Sequence, residues 1–200
     1  NKSFQVIIEP KDNNQELKNA YFELEDGKFG YNFAEHNLGE FIDKLLVEVE
    51  PIAKEYQVNL FFSAKQAIVL TFDEVKLGIA LTNLIDNAIK YNVPNGTVTV
   101  GIQLASDSRY AQVSVTDTGV GIPEGDIKKL FTKFFRAENV MQFATEGSGL
   151  GLYVVKNIIM RHGGSIWVES QLNRGTTFHF TLPIDVKLIP QKDLIIEEEL

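Results

Sequence analysis

The chain has 200 residues, of which 44% are hydrophobic, so it is long and apolar enough to bury a full core. Its 27 acidic and 19 basic residues give a formal net charge of -8, which argues against nucleic acid or anionic lipid as a partner. The lack of cysteine excludes disulfides and thiolate metal sites, and the apolar runs are too short to span a bilayer. No signal peptide is visible, so we expect a cytoplasmic domain without direct membrane contact, alone or excised from a longer protein.

The N-terminal part carries the weakest pattern. Residues 3–9 alternate as a strand would, and residues 13–25 are polar with weak helical spacing. We interpret residues 1–30 as a leader or linker. Over residues 38–57, apolar residues recur every three or four positions and predict an amphipathic helix. Pro51 should kink that helix or split it in two.

The middle of the chain predicts a strand pair, a second helix and a hairpin. Residues 58–62 and 67–71 have the pattern of two short strands joined by a turn. A second amphipathic helix is predicted from Asp73, which suits an N-cap, to Tyr91. Residues 97–104 and 110–116 then alternate as adjacent strands of a hairpin.

The last third predicts a lid, a helix and a terminal hairpin. Residues 122–148 contain a short helical piece at 124–130 and then lose clean periodicity, which at this length indicates a functional lid. A third helix is predicted over residues 149–161, followed by paired strands at 165–170 and 176–182. These elements predict an α+β fold, a two-layer α/β sandwich with three main helices on one face of a mixed, mostly antiparallel sheet.

A polar face lies on the second predicted helix. Asn83, Asn87 and Lys90 are four and three residues apart, so their side chains project from one face. Amide oxygens are hard ligands that suit Mg²⁺, and a lysine beside them can meet a phosphate oxygen. Taken alone, the segment is better explained as an ordinary solvated helix face.

Two glycine-containing segments follow in the sequence. Asp117 ends a strand and precedes Gly119 and Gly121, so its carboxylate can accept a hydrogen bond from an adenine amino group at a sheet edge. In isolation, this motif is better explained as a turn aspartate. The segment Gly147-Ser148-Gly149-Leu150-Gly151 opens the third helix, where free N–H groups and the helix dipole favour a phosphate.

A fourth segment, Gly175-Thr176-Thr177-Phe178, completes a set that occurs in one order within a hundred residues. Together the four segments suggest an ATP site. Over residues 30–183 the chain resembles the ATP-binding catalytic domain of sensor histidine kinases, within the superfamily that includes gyrase, Hsp90 and MutL ATPases. The segment Phe131-Thr-Lys-Phe-Phe135-Arg136 resembles the phenylalanine-rich box of the kinase branch, inside the predicted lid.

The resemblance implies a Bergerat-type ATP-binding fold over residues 31–185. Residues 1–30 would then be the leader or linker, including the end of a dimerisation helix, and residues 186–200 an acidic C-terminal tail. The implied catalytic residues are Asn83, Asn87, Lys90 and Arg136. The implied ATP-binding residues are Asn87, Lys90, Tyr91, Asp117, Gly119, Gly121, Phe131, Phe135, Gly147, Ser148, Gly149, Leu150, Gly151 and Thr176.

Individual roles follow from the same resemblance. Asn87 is similar to the main Mg²⁺ ligand with Asn83 assisting, so ATP and Mg²⁺ are the expected cofactors. Asp117 resembles the acceptor for the adenine amino group, and Thr176 the threonine that supports this contact. Arg136 would face the phosphates, although a surface arginine is the simpler alternative.

The residue at position 83 distinguishes the branches of the superfamily. ATP-hydrolysing relatives place a glutamate there, four residues before the metal-binding asparagine, and an amide cannot act as that general base. The resemblance therefore implies phosphoryl transfer from Mg²⁺-ATP to a histidine on a dimerisation domain outside this chain, as part of two-component signal transduction. A response regulator would act downstream, and the isolated chain should not autophosphorylate.

The acceptor is not evident in the chain, because His36, His162 and His179 fit structural or surface positions better. The chain thus resembles a fragment, such as the cytoplasmic part of a membrane-bound sensor. Two alternatives stay open, a non-catalytic nucleotide-sensing interaction module and an anti-sigma-type serine kinase.

Overall fold

The computed structural model describes residues 13–64, 67–139 and 148–190. The predicted strand at residues 3–9, Gly147 of the glycine-rich segment and the end of the predicted tail lie outside the described residues. Within the described ranges, the chain forms five α-helices and seven β-strands: α1 (Asn13–Glu25), β1 (Ala34–Asn37), α2 (Leu38–Glu55), β2 (Asn59–Ala64), β3 (Val69–Phe72), α3 (Glu74–Lys90), β4 (Thr97–Leu104), β5 (Tyr110–Asp117), α4 (Glu124–Ile127), α5 (Gly151–Arg161), β6 (Ile166–Gln171) and β7 (Gly175–Pro183). A 3-10 helix, Val186–Leu188, follows β7.

The main sheet has five strands in the order β2-β4-β5-β7-β6, and β1 pairs with β3 in a separate two-stranded sheet. The pair β2–β4 is parallel, whereas the other three pairs of the main sheet are antiparallel. The helices α2, α3 and α5 pack on the main sheet. The predicted α+β fold with a mixed, mostly antiparallel sheet is therefore confirmed.

Alternation along the strands places the core between the sheet and the helices. Along most of β4, β5 and β7 every second residue is buried, because successive side chains of a strand point to opposite faces. The helices bury one face each, as their three-and-four spacing predicts. The residues of α3 that complete this core are Leu77, Ala80, Leu81, Leu84, Ile85, Ala88 and Ile89.

Two of the predicted strands exist but pair differently from the prediction. β2 and β3 do not form a hairpin with each other: β2 lies parallel to β4, and β3 pairs antiparallel with β1. Parallel neighbours need a crossover connection, which α3 provides between β2 and β4. The partner of β3 was missed because β1 is only four residues long and its sequence, Ala-Glu-His-Asn, carries no apolar alternation.

Helix ends follow local chemistry. α3 begins after Asp73, whose side chain accepts from the Lys76 N–H, so the predicted N-cap is confirmed. α2 runs continuously through Pro51, which lies one turn before its end, and is not split there. α5 begins at Gly151 rather than at residue 149, because Gly149 has a φ of +70°, which is not helical.

The first described helix packs on the rest of the chain. Leu17 and Ala20 of α1 are buried, as is Phe29 in the segment that follows it. The ammonium group of Lys76 on α3 lies 3.7 Å from the centre of the Phe29 ring and 3.2 Å from a carboxylate oxygen of Glu23. Among the described residues, every helix is too short or too polar to cross a membrane.

Candidate functional site

A cavity of about 390 Å³ opens between α3, the end of β5, the segment after α4 and the start of α5. Most of the residues that the sequence predicted for the site line it. These residues are Asn83, Asn87, Lys90, Tyr91, Asp117, Gly121, Phe135, Arg136, Ser148, Gly149, Gly151 and Thr176. The structure thus brings four separate sequence segments to one cavity of the size of small-molecule sites.

Three predicted residues lie beside the cavity rather than on its lining. Gly119 approaches the Tyr91 carbonyl so closely that a Cβ would lie 2.2 Å from that oxygen. Phe131 packs edge-on against Phe178, a lining residue, with 6.4 Å between ring centres. Leu150 is buried directly before α5.

Asp117 is a half-buried acid of the site whose pKa is shifted. Its Oδ1 accepts hydrogen bonds from the backbone N–H groups of Gly119 at 2.8 Å and Thr176 at 3.2 Å. Burial raises the pKa of Asp117 to about 6, and these two N–H donors oppose the rise only in part. Because this carboxylate is half-buried inside a cavity, few water molecules compete with a ligand donor for a hydrogen bond to it.

The polar face of α3 forms another side of the cavity. Asn87 Nδ2 donates to Asn83 Oδ1 at 3.3 Å. Of the two amide oxygens, that of Asn87 therefore takes no part in this hydrogen bond. A Cβ on Gly151 would lie 2.7 Å from both terminal atoms of Asn83, which means that the start of α5 fixes the place of the Asn83 side chain. A fixed amide oxygen on a cavity wall fits Mg²⁺, which takes few protein ligands.

The segment predicted as part of a lid contacts α1 as well as the cavity. Gly149 lies against Phe134: a Cβ on Gly149 would come within 2.7 Å of the Phe134 backbone. The Phe134 ring lies 6.2 Å from the Tyr21 ring of α1, and the Lys133 ammonium lies 3.2 Å from the Glu25 carboxylate. α1 therefore touches the segment that carries Phe135 and Arg136.

The sequence did not predict several residues that line the cavity. Asp86 follows Asn83 by three and precedes Lys90 by four, so helical spacing could have identified it. Ile122 directly follows Gly121, and Phe178 belongs to the fourth segment but was not assigned to the site. Other lining residues come from distant parts of the chain and have no local signal, namely Leu17, Ile52 and Tyr56.

The three histidines lie away from the cavity lining. His162 is 1% exposed, its Nε2 accepts from the Asp73 N–H at 3.1 Å, and its Nδ1 lies 2.7 Å from the Ile158 carbonyl oxygen. His179 stacks on Trp167 with ring centres 5.1 Å apart. Burial lowers the pKa of both His162 and His179.

Comparison with known proteins identifies similar chains. A family model described as histidine kinase-, DNA gyrase B-, and HSP90-like ATPase matches residues 72–186. The sensor histidine kinase WalK of Bacillus subtilis (strain 168) is 34% identical over 140 residues, which is 70% of this chain and 23% of WalK. The chain spans between 23% and 36% of the length of such curated relatives.

Solved structures give a matching result. The catalytic domain of histidine kinase ThkA superposes with a TM-score of 0.68 at 30% identity, covering 78% of this chain and 99% of that domain. A structure of ThkA in complex with the response regulator protein TrrA has a TM-score of 0.69, covering 93% of this chain and 54% of the other. At 24% identity, the second likeness concerns the fold alone.

Proposed function

Because this chain belongs to the histidine kinase-, DNA gyrase B-, and HSP90-like ATPase family, we propose that it binds Mg²⁺-ATP in the cavity and transfers the γ-phosphoryl group to a histidine of a dimerisation domain outside the chain. Family membership, as predicted from the sequence, implies ATP binding. The observation that carries the residue assignment is Asp117, a half-buried acceptor fixed by two backbone donors inside the cavity.

In this proposal, Asp117 accepts from the adenine amino group and thereby orients the base. Tyr91, which also lines the cavity, would pack near the base. An adenine nucleotide whose base is bound at Asp117 would direct its phosphates toward the side-chain amides of Asn83 and Asn87 on α3 and toward the start of α5. Free N–H groups at the start of an α-helix favour phosphate oxygens, so Ser148, Gly149 and Gly151 bind the phosphates.

The metal is assigned to the amide face. Asn87 would hold Mg²⁺ through its oxygen, and Asn83 would keep the Asn87 amide oriented through the hydrogen bond between them. When bound, Mg²⁺ supplies charge neutralisation at the phosphates. Lys90 and Arg136 add positive charge from α3 and from the segment after α4, which lowers the cost of charge build-up on the transferred phosphoryl group.

The chain's own residues favour transfer over hydrolysis. The water-activating glutamate of the hydrolysing relatives would lie one turn before Asn87, and in this chain that position is Asn83, whose amide takes up no proton. The phosphoryl group would therefore be transferred to an incoming nucleophile that needs no base at position 83. An imidazole nitrogen is such a nucleophile, because the neutral ring presents a lone pair at neutral pH.

The partners follow from this reaction. The acceptor would be a histidine on a dimerisation domain, since His162 is buried and both of its ring nitrogens have partners. The resulting phosphohistidine would pass its group to a response regulator. We assign the catalytic domain to residues 31–185 and place the reaction in the cytoplasm.

A transfer assay tests the proposal. The chain is incubated with Mg²⁺, γ-labelled ATP and candidate histidine-containing dimerisation domains, and the label on each acceptor is tested in acid and in base. We expect an acid-labile, base-stable label that disappears with Asp117→Ala and persists with Ser63→Ala, a change at an exposed position of β2. An acid-stable label on a serine, or no nucleotide binding by the folded chain, would contradict the proposal.

A further inference from the structure

Ser170 on β6 joins its strand to β7 and to the segment at Ile122, next to the cavity but not among the residues that line it. Its Oγ accepts a hydrogen bond from the Ile122 N–H at 2.9 Å and donates one to the Gly175 carbonyl at 3.0 Å. The same oxygen lies 2.9 Å from Thr176 Oγ1. Thr176 is one of the few buried polar residues among the described ones, and it is one of the residues that line the cavity.

The direction of the Ser170–Thr176 hydrogen bond follows from proton counting. A serine hydroxyl carries one hydrogen, and that of Ser170 points at the Gly175 carbonyl. With that hydrogen on the Gly175 carbonyl, the hydrogen in the contact between the two hydroxyls is assigned to Thr176. With its hydrogen directed at Ser170, Thr176 presents only lone pairs to the cavity.

The cavity wall next to Asp117 thus offers a ligand only hydrogen-bond acceptors. The Thr176 backbone N–H is used by Asp117 Oδ1, and the Thr176 hydroxyl hydrogen is used by Ser170. What remains toward a ligand is a carboxylate and a hydroxyl lone pair. A ligand edge with N–H donors gains hydrogen bonds there, whereas a carbonyl at the same place meets two acceptors and loses its solvation.

We propose that Ser170 is a specificity-determining residue for the nucleotide base, and that it acts by holding the Thr176 hydroxyl hydrogen away from the cavity. Ser170 is a positioning residue, because it reaches the ligand only through Thr176. The inference rests on the proposed function of the cavity as a nucleotide site. It adds that discrimination between a 6-aminopurine and a 6-oxopurine depends on a serine outside the cavity lining.

Removing the Ser170 hydroxyl releases the Thr176 hydrogen. In Ser170→Ala, Thr176 can turn its O–H toward the cavity and donate to a carbonyl or to a bridging water. The affinity for a 6-oxopurine then rises relative to that for a 6-aminopurine. We expect the ratio of the two affinities to fall about tenfold, which corresponds to the gain or loss of one hydrogen bond in a buried site.

The test is calorimetry of Mg²⁺-ADP and Mg²⁺-IDP binding to the full wild-type chain and three variants of it. These nucleotides share their phosphates and ribose and differ in the hydrogen-bonding edge of the base. Ser170→Ala should lower the ADP-to-IDP affinity ratio, Ser170→Thr should retain it because the hydroxyl is kept, and Ser63→Ala should leave it unchanged. Thermal melting of each variant checks that the chain is folded.

A double-mutant cycle distinguishes two effects of Ser170→Ala. One is the loss of the hydroxyl relay, by which Ser170 acts on the ligand through the Thr176 hydroxyl, and the other is a general loosening of the loop at Ile122. In Thr176→Val, the side-chain shape is kept but the hydroxyl is lost, so adding Ser170→Ala should no longer change the affinity ratio. An equal fall of the ratio in the Thr176→Val background would overturn the relay. So would an unchanged ratio in Ser170→Ala alone. Failure of the wild-type chain to bind either nucleotide would instead overturn the proposed function itself.

Discussion

Asp117 and Thr176 are joined through a single carboxylate oxygen: Oδ1 of Asp117 accepts from the Thr176 N–H at 3.2 Å and also from the Gly119 N–H at 2.8 Å. Among the described residues, both backbone donors to this carboxylate go to Oδ1. The second oxygen is therefore the one left for a ligand. This asymmetry determines what substitutions at position 117 should do.

Asp117→Asn should reverse the base preference rather than merely weaken it. The amide oxygen would keep the two backbone N–H donors, which places the amide NH₂ where the ligand-facing oxygen was. That group would oppose an adenine amine and would donate to a 6-oxo group. We expect ADP affinity to fall roughly ten- to hundredfold, the range for a lost hydrogen bond to a charged acceptor, while IDP affinity rises.

Calorimetry with both nucleotides checks this expectation. Asp117→Ala is the matched control, because it removes the acceptor without adding a donor and should weaken ADP binding with no gain for IDP. If Asp117→Asn bound ADP as well as the wild type does, the ligand-facing oxygen would have been misassigned.

The pH dependence of base selection should report the pKa of Asp117. Burial raises that pKa to about 6, so the carboxylate is ionised above pH 6 and protonated below it. The ADP-to-IDP affinity ratio should fall as the pH drops through about 6, since the protonated carboxyl becomes a donor. Using the ratio cancels the titration of the phosphates, which is the same in both nucleotides.

The raised pKa of Asp117 also makes the stability of the fold depend on pH. A fall in pH should lower the preference for ADP but raise the contribution of Asp117 to stability. Because the folded pKa of Asp117 lies above the ordinary value of 3.8, the folded chain binds this proton more tightly than the unfolded chain does. The contribution of Asp117 to stability is therefore fully present below about pH 4 and is lost as the pH rises through 6. Relative to Asp117→Asn, the wild-type free energy of unfolding should decrease between pH 4 and pH 7, and an increase would contradict the assignment.

The fold and much of the site could be predicted because their signals are local. The N-cap Asp73, the buried face of α3 and the glycines around Asp117 are each visible within a few residues of sequence. The pairing of β3 with β1 could not be predicted, because strand partners depend on contacts between distant segments. Leu17 and Ser170 were missed for the same reason. Leu17 lines the cavity and Ser170 contacts Ile122 and Thr176 only because distant segments of the chain fold together.

Asn87→Ala should remove the Mg²⁺ dependence of nucleotide binding while leaving the fold intact. Asn87 lines the cavity, and its one described side-chain hydrogen bond goes to Asn83. Calorimetry with and without Mg²⁺ should show about a tenfold or greater enhancement by the metal in the wild type and little in the variant. An unchanged enhancement would show that other groups hold the metal.

Asn92→Ala is the matched contrast to Asn87→Ala. Asn92 lies one residue beyond the C-cap of α3, and its Nδ2 donates to the carbonyls of Ala88 and Thr97, each at 3.0 Å. Loss of a donor that joins α3 to β4 should cost about 1–3 kcal/mol of unfolding free energy. Denaturant titration should therefore separate the two asparagines, with destabilisation expected for Asn92→Ala.

Gly151→Ala should impair metal-dependent binding without unfolding the chain. Alanine is favourable in a helix, but its Cβ would lie 2.7 Å from the terminal atoms of Asn83 and would push that side chain aside. Gly149→Ala is expected to behave differently, because Gly149 has a φ of +70° and lies against the Phe134 backbone. We expect a lower melting temperature for Gly149→Ala and a weaker Mg²⁺ enhancement for Gly151→Ala, and equal melting losses in both would contradict this distinction.

His162→Ala should destabilise the chain strongly although the residue takes no part in the proposed reaction. The variant leaves the buried Asp73 N–H without its acceptor and removes a ring packed against Tyr31 and Phe33. We expect a loss of about 2–4 kcal/mol by denaturant titration, against a smaller loss for the less buried His36→Ala.

The pH dependence gives His162 a separate signature. Burial lowers the pKa of His162 below its ordinary 6.5, so the unfolded chain takes up this proton more readily than the folded chain. The stability contribution of His162 is thus present above pH 6.5 and is lost as the pH falls through the lower, folded pKa. The difference in unfolding free energy between the wild type and His162→Ala should narrow over that range, because only the wild type carries the buried imidazole. A difference independent of pH would show that His162 stabilises the fold by packing alone.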